Sequence, residues 1–257
     1  MQVTVDIYKS IEENAGFYYD KVKKLRKKIV RAKEALRSNE KKLTELVESK
    51  IQIQAKHADV KEKRALAWYE KFRWFFSSEG FLVIGGRDAT SNEIVIKKHT
   101  DSDDIVFHTE VAGSPFFVIK TEGKKPGQKT LDETAQATAS YSRAWKLGIT
   151  SLEVFYVHPN QLSKTPKAGE FISKGSFMVE GKKNTMTPKL ELAVGITKEG
   201  FIMGGPSNAI KQNCPQFVII EQGKEKTSRA AKYIQKKIGG EVDDIIKVIP
   251  PGGIKIS

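Results

Sequence analysis

Residues 68–98, WYEKFRWFFSSEGFLVIGGRDATSNEIVIKK, decide how this chain is read. Trp68, Phe72 and Phe75 fall at helical spacing, with Tyr69 and Phe76 one step round. That spacing predicts a helix whose aromatics close the base of a long helical arm against a globular core. Ser77-Ser78-Glu79-Gly80 breaks it, and Phe81-Leu82-Val83-Ile84 reads as a buried strand. Gly85-Gly86 reads as a turn into a second strand over residues 93–98. Arg87 and Asp88 at its tip admit two readings. They form a structural ion pair, or Arg87 offers its planar fork to a phosphate while Asp88 fixes its direction.

Upstream, residues 15–76 contain no proline and Gly16 as the sole glycine. Val22, Leu25, Ile29, Ala32 and Leu36 step by three and four, the seam of a coiled coil. Asn39, Leu43 and Leu46 extend the register before it decays over residues 50–55. An antiparallel hairpin with its tip near residues 45–52 would return the chain to Trp68; a straight rod that dimerises is the alternative. Residues 21–33 carry eight basic residues and no acidic one. A one-sign run repels itself unless counter-charge arrives, so Lys23, Lys24, Arg26, Lys27, Lys28 and Arg31 are expected to face phosphates. Residues 3–7 read as a short strand, and Ser10 with Glu13 as a capping box.

Downstream, residues 103–109 and 115–120 read as strands. His108 sits in the first of these, where a lone histidine is more often core than ligand. No second His, Cys or carboxylate stands at metal spacing, so no metal is expected. Residues 131–147 predict one amphipathic helix, capped by Thr130 with Glu133 and presenting Ala135, Thr138, Ala139, Ser142 and Ala144 as a small-residue face. Residues 153–157 form the next strand. Over residues 161–184, lysines (Lys164, Lys167, Lys174, Lys182, Lys183) alternate with Gly169, Gly175 and Gly181. Glycines let backbone amides approach phosphates and lysines add charge, but the spacing is not that of a P-loop. Phe171, Phe177 and Met178 read as core. Beyond residue 190, residues 201–203 and 216–220 read as strands, 226–238 as a basic helix and 242–249 as a final strand.

The 257 residues hold 44 Lys+Arg against 31 Asp+Glu, a net charge of +13. A bias of that sign favours nucleic acid or another polyanion. No apolar run approaches the ~20 residues needed to span a bilayer, and residues 1–10 are no signal peptide. A single cysteine, Cys214, excludes internal disulfides and fits a reducing cytoplasm.

The stretch 68–98 also resembles the opening of the RNA-binding NFACT-R domain of the NFACT family: nuclear export mediator factor, fibronectin-binding protein A, Caliban and the RqcH proteins. Further blocks in the family's order are Asp104-Ile-Val-Phe-His108, Lys129-Thr-Leu-Asp-Glu-Thr134, Ser140-Tyr-Ser-Arg-Ala-Trp145, Gln161-Leu-Ser-Lys164 and residues 169–184. Ala112 stands where the family often has a second histidine, which weakens a catalytic or metal role for that block. The family's N-terminal lobe, linked to tRNA selection, and its helix-hairpin-helix region have no counterpart, so the expectation is a fragment or a stand-alone version.

The resemblance implies an α+β architecture: a basic antiparallel coiled-coil hairpin over residues 1–76, an NFACT-R-like domain over 77–195 and a C-terminal α/β extension over 196–257. It implies a module of ribosome-associated quality control that docks on large ribosomal subunits carrying obstructed peptidyl-tRNA, with ribosomal RNA and tRNA as partners. A protein partner is expected at the hairpin tip; no enzyme activity, cofactor, small-molecule substrate or membrane contact is expected. The candidate RNA-contacting residues are Arg87, Asp88, Asn92, Lys97, Lys98, His108, Lys164, Lys174, Ser176, Lys182, Lys183 and Asn184. Of these, Arg87, Lys97, Lys98, Lys174, Lys182 and Lys183 are expected on one basic face. The alternative from another class is a coiled-coil scaffold that binds protein without specific RNA affinity.

Overall fold

The computed structural model describes residues 4–56, 66–165 and 172–257. The chain forms two compact units, Met1–Ala65 and Leu66–Ser257.

The first unit is built on α1 (Ile11–Lys56). Its start is the expected capping box: the Ser10 amide donates to the Glu13 carboxylate at 2.8 Å and the Glu13 amide to Ser10 Oγ at 3.2 Å. Residues 4–7 are not a strand; the Asn14 side chain and the Tyr18 hydroxyl tie them locally to the helix start. The turn expected at residues 45–52 is absent, because α1 runs through it. That segment holds neither Gly nor Pro, so nothing in it stops a helix. Much of the expected return arm, residues 57–65, lies outside the described residues. The seam residues Val22, Leu25, Ile29 and Leu36 are exposed.

In the second unit, residues 68–76 do not continue a helix. A single 3₁₀ turn (Trp68–Lys71) leads into β1 (Arg73–Phe76), which pairs antiparallel with β2 (Leu82–Gly85) through a turn at 77–81. Trp74 and Phe75 are buried by the sheet; sheet pairing outweighs the helical spacing of the aromatics. The second strand expected at 93–98 is also a helix, α2 (Ala89–Lys98). Asp88 is its N-cap, accepting from the Ser91 amide at 2.7 Å, and this cap overrides the β-branched run Ile94-Val95-Ile96.

The remaining elements are β3 (Ile105–Thr109), β4 (Phe117–Ile119), α3 (Gln128–Ser140), α4 (Arg143–Leu147), β5 (Val154–Val157), β6 (Leu162–Ser163), β7 (Met178–Val179), β8 (Asn184–Met186), β9 (Leu192–Ile196), β10 (Ile202–Gly205), α5 (Ser207–Asn213), β11 (Gln216–Glu225), α6 (Thr227–Ile238), α7 (Val242–Val248) and β12 (Ile254–Ile256). One six-stranded antiparallel sheet runs β1-β2-β4-β3-β5-β8, a four-stranded one β10-β9-β11-β12, and β6-β7 is a small separate pair.

Helix α3 packs on β3, β4 and β5 through its small-residue face. The single helix expected over 131–147 is divided after Ser140. Ser142 Oγ donates to the Ala139 carbonyl and accepts from the Ala144 amide, which starts α4; such local bonds compete with helix continuation. The cap is also different. Helix α3 starts at Gln128, and Glu79 on the β1–β2 turn accepts from the Thr130 amide at 3.0 Å, while Glu133 accepts from the Ser78 amide.

The strand expected over residues 242–249 is instead α7 (Val242–Val248), ending at Ile249: Val242, Ile245, Ile246 and Ile249 step as a helix does, with Asp243 and Asp244 in the first turn. Both sheets contribute to one hydrophobic core, joined where β10 and α5 pack on β1.

Candidate nucleic-acid interface

Two half-buried arginines stand out in the second unit. Arg73 belongs to β1, and its guanidinium lies 4.2 Å from the centre of the Tyr141 ring. Arg87, between β2 and α2, donates from Nη2 to the Phe72 carbonyl and from Nη1 to the Lys247 carbonyl, both at 2.9 Å. Burial lowers both guanidinium pKa values, and each lies close enough to Tyr141 to offset part of that effect. Burial also pushes the Tyr141 phenol up to about 12; its hydroxyl donates to the Val248 carbonyl at 2.7 Å. Arg73 Nη1 and Arg87 Nε have no hydrogen-bond partner in the protein.

Both arginines line a cleft of about 570 Å³ that also takes in Asn92, His108, Tyr141, Phe155, Lys174, Ser176, Phe177 and Lys183. Asn92 is buried and holds the wall together: its Oδ1 accepts from the Phe116 amide at 3.1 Å and its Nδ2 donates to the Ser114 carbonyl at 3.3 Å. Gly86 makes this possible, because a Cβ there would stand 1.9 Å from Asn92 Oδ1. His108 stacks on Phe116 with ring centres 3.8 Å apart. Burial holds its pKa down to about 4, so the ring is neutral at physiological pH.

The cleft's charged lining is Arg73, Arg87, Lys174 and Lys183 against Asp88 and Glu110, with His108 neutral: four positive less two negative leaves a net +2. Asp88 is committed to its cap and Glu110 to Lys183. Lys174 is exposed, and Lys183 lies over the Phe155 ring at 4.5 Å.

Among the twelve candidate residues, the cleft brings together Arg87, Asp88, Asn92, His108, Lys174, Ser176 and Lys183. Lys97 and Lys98 sit at the C-terminal end of α2, with Lys97 paired to Glu93 at 2.6 Å. Lys164 lies over Phe177 and 3.8 Å from Glu93. The Lys182 carbonyl accepts from Gln161, and Asn184 is on the edge strand β8. None of these five lines the cleft; of the six basic residues expected on one face, Arg87, Lys174 and Lys183 line it. Lys167, Gly169 and Phe171 lie outside the described residues, as does His57. The structural ion-pair reading of Arg87 and Asp88 does not hold, because no ion pair joins them; Arg87 ties three segments together and Asp88 caps α2.

Sequence reasoning missed Arg73 and Tyr141. A lone cation inside the run Phe72 to Phe76 was the available signal for the first. On α1, Lys24, Lys27, Lys28 and Arg31 line one groove beside Phe17 and Leu25. No cluster of three or more His, Cys, Asp or Glu able to hold a metal, and no helix long and apolar enough to cross a membrane, occurs among the described residues.

The model of the NFACT protein RNA binding domain matches residues 71–181. This is an NFACT-R domain. The chain is 41% identical over 215 residues to the archaeal Rqc2 homolog aRqcH of Methanocaldococcus jannaschii, covering 80% of this chain and 31% of that protein. It is 36% identical over 180 residues to the human ribosome quality control complex subunit NEMF, covering 68% of this chain and 16% of that protein. Ribosome quality control complex subunit 2 of Saccharomyces cerevisiae is 25% identical over 209 residues, covering 79% and 19%. The chain thus spans at most about a third of the curated relatives it matches. The resemblance read from the sequence blocks is confirmed, and two anchors of the NFACT-R cleft, the carbonyls of Lys247 and Val248, come from beyond the matched residues.

Proposed function

We propose that this chain is the RNA-binding module of a ribosome-associated quality-control factor, and that it docks on large ribosomal subunits carrying obstructed peptidyl-tRNA. The observation that carries the reading is an NFACT-R domain whose cleft has a net positive lining that includes two half-buried arginines. The names of the relatives supply the setting. In this reading the cleft and the basic run of α1 contact ribosomal RNA and tRNA, and the module binds without doing chemistry. The exposed seam of α1 is where a second helix or a protein partner would pack.

Binding of the purified chain to tRNA, to large-subunit RNA fragments and to whole large subunits, measured across a salt series, tests this. Tight, salt-dependent binding to subunits that falls when residues 1–65 are removed supports docking through two parts. The deletion ends at residue 65 because β1 belongs to the second unit. Affinity no greater than that of a generic polycation of equal charge would sink the reading.

A further inference from the structure

Arg73 and Arg87 each leave one buried guanidinium N–H without a protein acceptor. Leaving a buried donor of a charged group unsatisfied is costly, and a guanidinium does not escape by losing its proton. Arg73 lies over the uncharged Tyr141 ring, and Arg87 reaches two neutral carbonyls. The two carboxylates of the cleft are engaged elsewhere. The Arg87 charge also disfavours the charge on Arg73, and both side chains border the cleft, so an anion there would offset two cations that lack a carboxylate partner.

The cleft says more about that anion. Its volume of about 570 Å³ falls among small-ligand sites of about 300–1,000 Å³. A double helix is instead read across an open surface spanning about 16 base pairs. Alongside the cations, the lining carries Phe155, Phe177 and Met178, and His108 adds a neutral ring. Cations and rings side by side in one cleft match a phosphate joined to a base; bases of single strands are held by aromatic and histidine rings in this way.

We propose that the cleft receives one unpaired nucleotide of an RNA strand, its phosphate drawn to the Arg73 and Arg87 charges that border the cleft and its base beside His108 and Phe177. This deepens the RNA-binding reading above and rests on it. It also gives the C-terminal residues a role, since α7 supplies the Lys247 and Val248 carbonyls that orient Arg87 and Tyr141.

The test is nuclear magnetic resonance on the full chain, following the Arg87 Nε–Hε and His108 ring signals. Adenosine 5′-monophosphate, inorganic phosphate and adenosine are titrated separately. The nucleotide is expected to move both signals and phosphate the arginine alone, with the nucleotide bound more tightly. Lys174→Glu, at an exposed position, is expected to weaken the nucleotide about tenfold; Arg73→Gln should do at least as much if it folds. Two results overturn the proposal: phosphate binding as tightly as the nucleotide, or neither signal moving. If the signals stay still while large-subunit RNA binds in a salt-dependent way, the cleft assignment fails and the RNA-binding reading stands. If RNA also fails to bind, both fall.

Discussion

The chain carries two kinds of positive charge. On α1, Lys24, Lys27, Lys28 and Arg31 are exposed on one helix, each free to move with solvent around it. In the cleft, Arg73 and Arg87 are held by a ring and by carbonyls from two distant parts of the chain. The first kind attracts any polyanion, with a strength that salt screens away. The second has fixed donors in a site of limited volume, so shape decides what it takes. Long reach and selectivity are therefore divided between the two units.

The largest effect should come from the glycine that lets the cleft wall close. Gly86→Ala places a methyl against Asn92 Oδ1, at a built distance of 1.9 Å. We expect a loss of about 4 kcal/mol in urea unfolding. A variant of unchanged midpoint would show that the wall yields and that the cleft is not fixed.

The next concerns pH. His108 is held at about 4 in the fold against an ordinary 6.5. Between those values the unfolded chain takes up a proton that the folded chain refuses. Stability is therefore undiminished by this ring above about pH 7 and falls by about 3 kcal/mol as pH drops towards 4. His108→Phe should lose less stability than the parent between about pH 7 and pH 5. Equal acid loss in both would place the responsible group elsewhere.

Arg87→Met keeps much of the side-chain volume but leaves the Phe72 and Lys247 carbonyls without their donor. A loss of about 2 kcal/mol is expected, together with weaker protection of the α7 amides in hydrogen exchange. Normal protection would mean that α7 does not depend on this tie.

The smallest effect on folding should come from reversing Lys24, Lys27, Lys28 and Arg31 to Glu. The thermal midpoint should stay put, while the salt slope of RNA binding flattens by roughly 0.7 to 0.9 for each phosphate that is no longer neutralised. An unchanged slope would remove α1 from the RNA surface and leave binding to the cleft.

Much of the core was legible because alternation and flanking turns identify buried strands without help from the rest of the chain. The strands at 81–84, 103–109, 115–120 and 153–157 correspond to β2, β3, β4 and β5. Three segments were misjudged where local spacing competed with a cap or a partner. The aromatics before Ser77 fit a helix but pair with β2, residues 93–98 alternate like a strand but hang from Asp88, and residues 242–249 take the helix their i, i+3, i+4 spacing allows. Seven of the candidate residues meet at the cleft, drawn from segments near residues 87–92, 108 and 174–183 that the packing of the sheet brings together.

By itself, the sequence determined the family, the basic character, the long helical arm and the candidate loops, since these depend on composition, periodicity and motif order. Only the tertiary structure decided which cations share a cleft. Arg73 meets Tyr141 across 68 residues of sequence, and Arg87 meets Lys247 across 160. Such pairs form when separate strands and helices bury their apolar faces together, and no local pattern encodes the distance between them.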